Sequence, residues 1–347
     1  MSKVLKFSGH NYFRQRLILS ILSGKTIKIN KIRSDDNNPG FLRLLDKVTN
    51  GSTLEINYTG TSVLYKPGVI TGGKINHDCG ISRAIGYFLE PLIALAPFAK
   101  NPFNLTLTGI TNDNIDISVD TIRTVTLLQL GRFVTEEGLE LKISKRGSAP
   151  LGGGEVTFKC PVVKSLKPIQ YIDEGRIKRI RGIAVSPQNA NRMVNSARSI
   201  LNRYIPDVYI YTDVYKGEES GKSPGFAISL VAESTTGVLI SAEQAAKSGE
   251  TPEDIGQRTA KILLTEIRKG GCIDSLNQWL ILLMMVLSTE DVSKIRLGQL
   301  TAFTIQYIRD LKNFFDVTFK IKPDPTTNTL LMACVGVGYI NYSKKST

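Results

Sequence analysis

The sequence predicts an α/β (α+β) protein: three repeated βαβαββ units form a core, and a smaller α/β domain is inserted in the third. Three observations carry this. Strand-like alternation and helix-like periodicity follow one another in the same order, with a period of roughly 80 residues. The exits from the second helix of each unit look alike: Asn50-Gly51-Ser52-Thr53-Leu54-Glu55-Ile56, Glu137-Gly138-Leu139-Glu140-Leu141 and Phe315-Asp316-Val317-Thr318-Phe319-Lys320-Ile321. Between the halves of the third unit, residues 186–270 carry helices and strands of their own, enough for a small domain.

In the first unit (1–70), Lys3–Ser8 reads as a strand. Asn11–Ser23 reads as a helix with Phe13, Leu17, Ile18, Ile21 and Leu22 on one face and Gly24 as its stop. Thr26–Ile32 alternates as a strand, Phe41–Val48 is a helix closed by Asn50-Gly51, and Thr53–Tyr58 with Ser62–Tyr65 makes a hairpin around Gly60. The second unit (71–162) repeats the order: weak strand Gly73–Asn76, apolar helix Ser82–Ala94, strand Phe103–Thr108, helix Val119–Val134, then strands Leu139–Ser144 and Glu155–Lys159. The third (163–185 and 271–347) opens with the strand-like Arg176–Val185. It resumes with helix Ile273–Leu287, strand Lys294–Arg296, helix Thr301–Phe315 and strands Val317–Ile321 and Thr329–Val335. The insert (186–270) offers helix Ala190–Tyr204, strands Val208–Thr212, Phe226–Ala232 and Val238–Ser241, and helix Glu253–Arg268.

Composition narrows the function. The chain has 347 residues with 44 Lys+Arg against 31 Asp+Glu, a net charge of +13, which favours a polyanionic partner such as nucleic acid. Cys79, Cys160, Cys272 and Cys334 form no CxxC pair, so neither a zinc ribbon nor a disulfide framework is expected, and no metal site. The Met-Ser-Lys-Val start is no signal peptide, and the strongest apolar run, Trp279–Leu287, is about half a membrane span, so an intracellular, soluble protein without membrane contact is expected. Nothing demands more than a monomer. Gly217-Glu218-Glu219-Ser220-Gly221-Lys222-Ser223 is one residue short of a Walker loop and leads into a strand. The spacing of Asp113, Asp116 and Asp120 fits no calcium loop, and turn and cap chemistry is expected there.

The sharpest local feature is Arg146-Gly147-Ser148-Ala149-Pro150-Leu151-Gly152-Gly153-Gly154-Glu155-Val156. Three consecutive glycines let backbone amides approach an anion closely, and a tight strand connection uses them equally well. The segment resembles the signature of the RNA 3′-terminal phosphate cyclase family. The resemblance extends along the chain: Gly9 and Arg14 at the first helix, Ile32-Arg33-Ser34 followed by Asn38-Pro39-Gly40, Lys222-Ser223-Pro224-Gly225-Phe226-Ala227-Ile228, and Gly270-Gly271-Cys272-Ile273-Asp274. It implies three βαβαββ units and an α/β insert.

The departures matter as much. Cyclases carry, early in the last core helix, a histidine that ATP adenylylates. Here the stretch reads Asp274-Ser275-Leu276-Asn277-Gln278-Trp279-Leu280, with Ser275 at that position, and the two histidines, His10 and His77, lie elsewhere. A serine alcohol does not replace imidazole as acceptor of AMP without a separate base. Cyclases also carry an acidic residue and a glycine run before the first helix, where Phe7-Ser8-Gly9-His10-Asn11 stands. Cyclase activity is expected to be absent, and no cofactor is expected. The pattern resembles the cyclase-like branch of the family, which implies nucleolar pre-rRNA processing and small-subunit biogenesis within the small-subunit processome. It also implies contact with pre-rRNA and small nucleolar ribonucleoprotein, and a large nucleolar GTPase as partner.

Three clusters are candidate sites. Arg14 and Arg33, where cyclases hold anionic substrate, are expected to join Arg146 and Gly152, Gly153 and Gly154 in one anion pocket, since the arginine fork binds two phosphate oxygens. In Arg176, Lys178, Arg179 and Arg181 the alternation places Arg179 and Arg181 on one strand face, as an RNA- or acid-binding patch or a solvated edge. Arg309, Asp310 and Lys312, placed on the polar side of a helix whose apolar side holds Ile305, Ile308 and Leu311, are the alternative: an acid and two bases for cleaving pre-rRNA. A solvated helix face, or a docking surface for the GTPase, explains the same residues.

Overall fold

The computed structural model describes residues 4–32, 39–188, 190–223 and 225–344. The first unit contains β1 (Leu5–Ser8), α1 (Phe13–Ser23), β2 (Ile27–Asn30), α2 (Pro39–Val48), β3 (Thr49–Asn50), β4 (Thr53–Ile56), β5 (Ser62–Lys66) and β6 (Val69–Ile70). The second contains β7 (Gly72–Asp78), α3 (Ile85–Leu95), β8 (Asn101–Gly109), α4 (Val119–Thr121), α5 (Leu127–Leu130), β9 (Glu140–Lys145) and β10 (Gly154–Cys160). Next come β11 (Gln170–Tyr171), β12 (Ile177–Val185), α6 (Ala190–Leu201), β13 (Val208–Asp213), β14 (Ala227–Ser234), β15 (Leu239–Ala245) and α7 (Pro252–Lys269). The chain closes with α8 (Gln278–Leu287), β16 (Val292–Leu297), α9 (Ala302–Phe315), β17 (Lys320–Asp324) and β18 (Thr329–Val335).

The repeat is plain in the sheets. Their orders are β1-β2-β5-β4, β7-β8-β10-β9 and β11-β16-β18-β17, each with its first pair parallel and the rest antiparallel. A parallel pair needs a crossover, which is why each unit places a helix between its first two strands. Every residue of α8, and every residue of α3 except the partly exposed Glu90, is buried, as expected of helices that are apolar all round. α1 packs on α3 and α9, and α3 on α8, which joins the units into one core.

One strand belongs elsewhere than expected. Ile177–Val185, placed above in the third unit, is the second strand of a fourth sheet, β13-β12-β14-β15, whose other face is covered by α6 and α7. The third sheet takes its first strand from Gln170–Tyr171, paired with Lys294 and Ile295. Two residues carry no alternation to detect, whereas the nine-residue strand was conspicuous. The helix expected over Val119–Val134 passes through a π-turn at Ile122–Thr126 and ends at Leu130. Ile273–Asn277, expected as helix, is a turn leading into α8.

Candidate functional site

The loops that carry the first strand into the first helix in the first and second units meet in a cleft of about 800 Å³. From the first unit come His10, Tyr12 and Arg14, with Arg43 of α2 at the rim; from the second come Asp78, Arg83 and Tyr87; Phe303 closes one side. Tyr12 enters α1 in the left-handed conformation, φ 65°. This turns the chain sharply after Gly9 and directs the first helical turn into the cleft.

The electrostatics centre on Tyr87. The Arg14 guanidinium lies 3.9 Å from the centre of its ring and that of Arg83 lies 4.0 Å from it. Stacking on an aromatic face orients a guanidinium while leaving its edge free to donate. Arg14 also donates to the Tyr87 carbonyl and pairs with Glu90 at 3.3 Å. Arg83 donates from Nε to Asp116 at 2.8 Å, and a second nitrogen pairs with the same carboxylate. Burial pushes the Glu90 carboxyl above the usual glutamate range, against the pull of Arg14. The hydrogen bonds that Arg83 donates to Asp116 push its guanidinium further up, so it is a fixed cation.

Behind the Arg83–Asp116 pair lies a second pocket, of about 260 Å³. Asp116 lines this pocket and Arg83 the first, so one ion pair forms the wall between them. Among the described residues its lining carries four carboxylates, Asp113, Asp116, Glu243 and Glu266, and no cationic side chain. Ser275 stands here. Its backbone N–H donates to Glu266 at 3.1 Å, its Oγ donates to the other oxygen of that carboxylate at 3.2 Å, and Lys269 Nζ donates to Oγ at 3.0 Å. Lys269 is itself ion-paired with Glu266, so the ammonium acts as a donor to the hydroxyl. A carboxylate lining has the wrong sign for a nucleoside triphosphate on its own.

The single anion pocket expected from Arg14, Arg33, Arg146 and the glycines does not form. Arg33 lies outside the described residues. Arg146 is buried and fully committed: it donates to Asp120 at 2.6 and 2.9 Å and to Asp213 at 2.7 and 3.0 Å. Burial alone raises a carboxyl, yet the charge and hydrogen bonds of Arg146 hold Asp120 below the usual range. Gly152, Gly153 and Gly154 are packing glycines. A Cβ at Gly153 would stand 2.9 Å from the Lys222 backbone nitrogen, one at Gly154 would meet Thr111 at 2.6 Å, and the Gly152 carbonyl accepts from Lys222 N at 2.8 Å. The motif therefore seats the insert on the second unit. The same seam holds Glu243 of β15, which accepts from Ser118 N at 2.9 Å and Thr121 Oγ1 at 2.5 Å. On the side of the third unit, Asp274 accepts from Ser241 N of β15 at 2.9 Å.

The other two clusters also rearrange. Arg176 is exposed at the head of β12. The register slips between Ile177 and Arg179, so Lys178 and Arg179 both reach Glu233, at 2.9 and 2.6 Å. Arg181 pairs with Asp207 at 2.8 Å. β12 has neighbours on both sides, so these are not edge-strand guards. In α9 the buried face is Thr304, Tyr307, Asp310, Leu311 and Phe314. Asp310 is fully buried, accepting from Arg16 Nε at 3.0 Å and from Gln306 at 2.9 Å, whereas Ile305, Arg309 and Lys312 are exposed. The acid and the two bases point to opposite sides of the helix, and no cleavage triad exists there.

Arg83, Tyr87, Arg43 and Glu90 were not anticipated. A signal existed: Arg14 and Arg83 follow the first strand of consecutive units, so laying one repeat on the other pairs them. The four cysteines are buried and unpaired, with burial pushing Cys272 and Cys334 up to about 12, which makes them poor nucleophiles. Among the described residues no cluster of ligands suits a metal ion and no helix is long and apolar enough to cross a membrane.

Comparison with known proteins agrees with this architecture. The family model described as RNA 3′-terminal phosphate cyclase matches residues 5–321. The chain is 55% identical over 370 residues to a Dictyostelium discoideum protein named "Probable RNA 3′-terminal phosphate cyclase-like protein", covering 99% of this chain and 100% of that one. It is 53% identical over 363 residues to the Homo sapiens "RNA 3′-terminal phosphate cyclase-like protein", covering 98% and 97%. It is 50% identical over 355 residues to the Schizosaccharomyces pombe "rRNA processing protein rcl1", covering 98% of each.

Proposed function

Because the chain belongs to the RNA 3′-terminal phosphate cyclase family, we propose that it is a member without cyclase activity that binds RNA phosphate in the cleft of Arg14 and Arg83 and serves pre-rRNA processing. The observation that carries this reading is the pair of guanidiniums stacked on Tyr87 at an open cleft of about 800 Å³. Each has one carboxylate partner and lines the opening, so a phosphate adds to the array without first breaking a buried pair. The loss of cyclisation is supported by Ser275, held between Glu266 and Lys269 in a pocket lined by carboxylates. The processing role follows the name of the fission-yeast relative. A nucleolar location, the small-subunit processome, contact with small nucleolar ribonucleoprotein and a large nucleolar GTPase partner follow from the cyclase-like branch that the sequence resembles.

Arg14→Ala with Arg83→Ala should weaken binding of a 3′-phosphorylated RNA oligonucleotide by about ten-fold or more, measured by anisotropy. Labelled ATP should leave no covalent AMP on the protein. Unchanged RNA affinity in the double variant would remove the cleft from the reading, and an AMP adduct would restore the cyclase. Pull-down from nucleolar extract should recover pre-rRNA and a GTPase; recovery of neither would sink the processing role.

A further inference from the structure

The insert's sheet has two unlike faces. Val208, Ile210, Ile180, Ala184, Leu230 and Ala232 are buried beneath α6 and α7. The register places Tyr209 beside Arg181 and Val231, and Tyr211 beside Ile183 and Ser229, in two parallel rows on the opposite face. The β15 end of this face is sealed against the core by Glu243 on Ser118 and Thr121, and by Ser241 on Asp274. The β13 end is open: Tyr209 and Tyr211 are 61% and 58% exposed, and a groove of about 340 Å³ runs between them and Leu128.

We propose that this open half-face is a stacking platform for single-stranded RNA, with bases on Tyr209 and Tyr211 and backbone phosphate on Arg181 and Arg179. Two tyrosines two residues apart on one strand stand about 6.6 Å apart and face the same way, as rings that receive successive unstacked bases do. Every base has a face to stack, so the platform is sequence-tolerant. The rim is net positive: Lys178, Arg179 and Arg181 stand against Glu233 and Asp207. Those ion pairs are exposed, and an exposed pair is weak enough to exchange a carboxylate for a phosphate. Charge complementarity and the paired rings together favour RNA over an apolar protein segment, for which a ring of cations is no help. This surface is separate from the cleft and does not depend on it.

The test uses the full chain and fluorescein-labelled single-stranded RNA of about twelve nucleotides, within the span a small sheet domain covers. Tyr209→Ala with Tyr211→Ala should weaken binding roughly ten-fold or more, while Tyr209→Phe with Tyr211→Phe should bind as the parent does, because the ring does the stacking. A strand of equal length with abasic sites should bind the parent and the alanine variant alike. Arg14→Ala with Arg83→Ala should weaken both strands equally, so failure at one surface is distinguishable from failure at the other. Unchanged RNA affinity in the alanine variant overturns the platform, as does an abasic strand that loses as much as the intact one. Loss of a protein partner with RNA affinity intact overturns it too.

Discussion

Arg146, between the second unit and the insert, has both edges of its guanidinium committed to carboxylates and is buried; Arg14 and Arg83, in the cleft, each hold one carboxylate and keep a stacked face beside the opening. The residue type is the same and the consequences differ. A buried charge must be neutralised where it stands, so the two aspartates around Arg146 leave it no capacity for an external anion. A half-buried charge with one partner is oriented but unsaturated. The conspicuous arginine, set in the glycine motif, is thus the fastener, and the arginines of the cleft, each with a single carboxylate, are those that the proposed function gives to RNA phosphate.

The largest expected effect breaks the fastener. Arg146→Ala leaves the buried Asp120 with only the long 3.5 Å ion pair to Arg123 and should cost about 3 kcal/mol in urea unfolding. Arg146→Lys should recover only part, because an ammonium cannot span two carboxylates as the fork does. A midpoint unchanged from the parent would mean that the seam does not depend on the clamp.

Next comes α9, where the same division by burial runs across one helix. Asp310→Ala strands Arg16 in the interior and should cost about 3 kcal/mol, whereas Lys312→Ala and Arg309→Ala should stay within about 0.5 kcal/mol. Equal costs across the three would contradict the opposite facing of acid and bases.

A titration sharpens the contrast. The Asp120 carboxyl is lowered, so its contribution to stability is present above the ordinary aspartate pKa of about 3.9 and is lost as pH falls through the folded value. The Glu90 carboxyl is raised, so its contribution is present below the ordinary glutamate pKa of about 4.3 and is lost as pH rises through the folded value. Glu90→Gln should therefore be more stable than the parent at pH 7, with the advantage shrinking as pH is lowered towards 4. It should also bind phosphate more tightly at pH 7, since Arg14 then lacks its charged partner. An advantage that grows on acidification would reverse the assignment.

Much of this was legible in the sequence, for identifiable reasons. The period of the strands and helices follows from which face each element buries, and the three equivalent sheets came out of it. Thr301, where the sequence predicts the start of the last helix, caps it, accepting from Thr304 N at 3.0 Å. What escaped was pairing over distance. Nothing local to Arg146 says that Asp213, sixty-seven residues on, will take it. Nothing local to Asp310 announces Arg16. On α9 a charged residue was assigned to the water side by type, and a buried ion pair defeats that assignment. The slip between Ile177 and Arg179 likewise overrides strict alternation.

The smallest expected effect comes from that slip. It brings Lys178 and Arg179 onto the single carboxylate of Glu233, with side chains about 40% exposed. Removing one cation leaves the other in place and relieves the repulsion between them, while solvent screens what is lost. Lys178→Ala should therefore change unfolding free energy by no more than about 0.5 kcal/mol, and the difference should vanish at high salt. The same measurement on Arg146→Ala should keep most of its loss in salt, because a buried pair is screened far less. If the two variants responded alike to salt, burial would not be what separates the structural cations of this protein from its solvent-accessible ones.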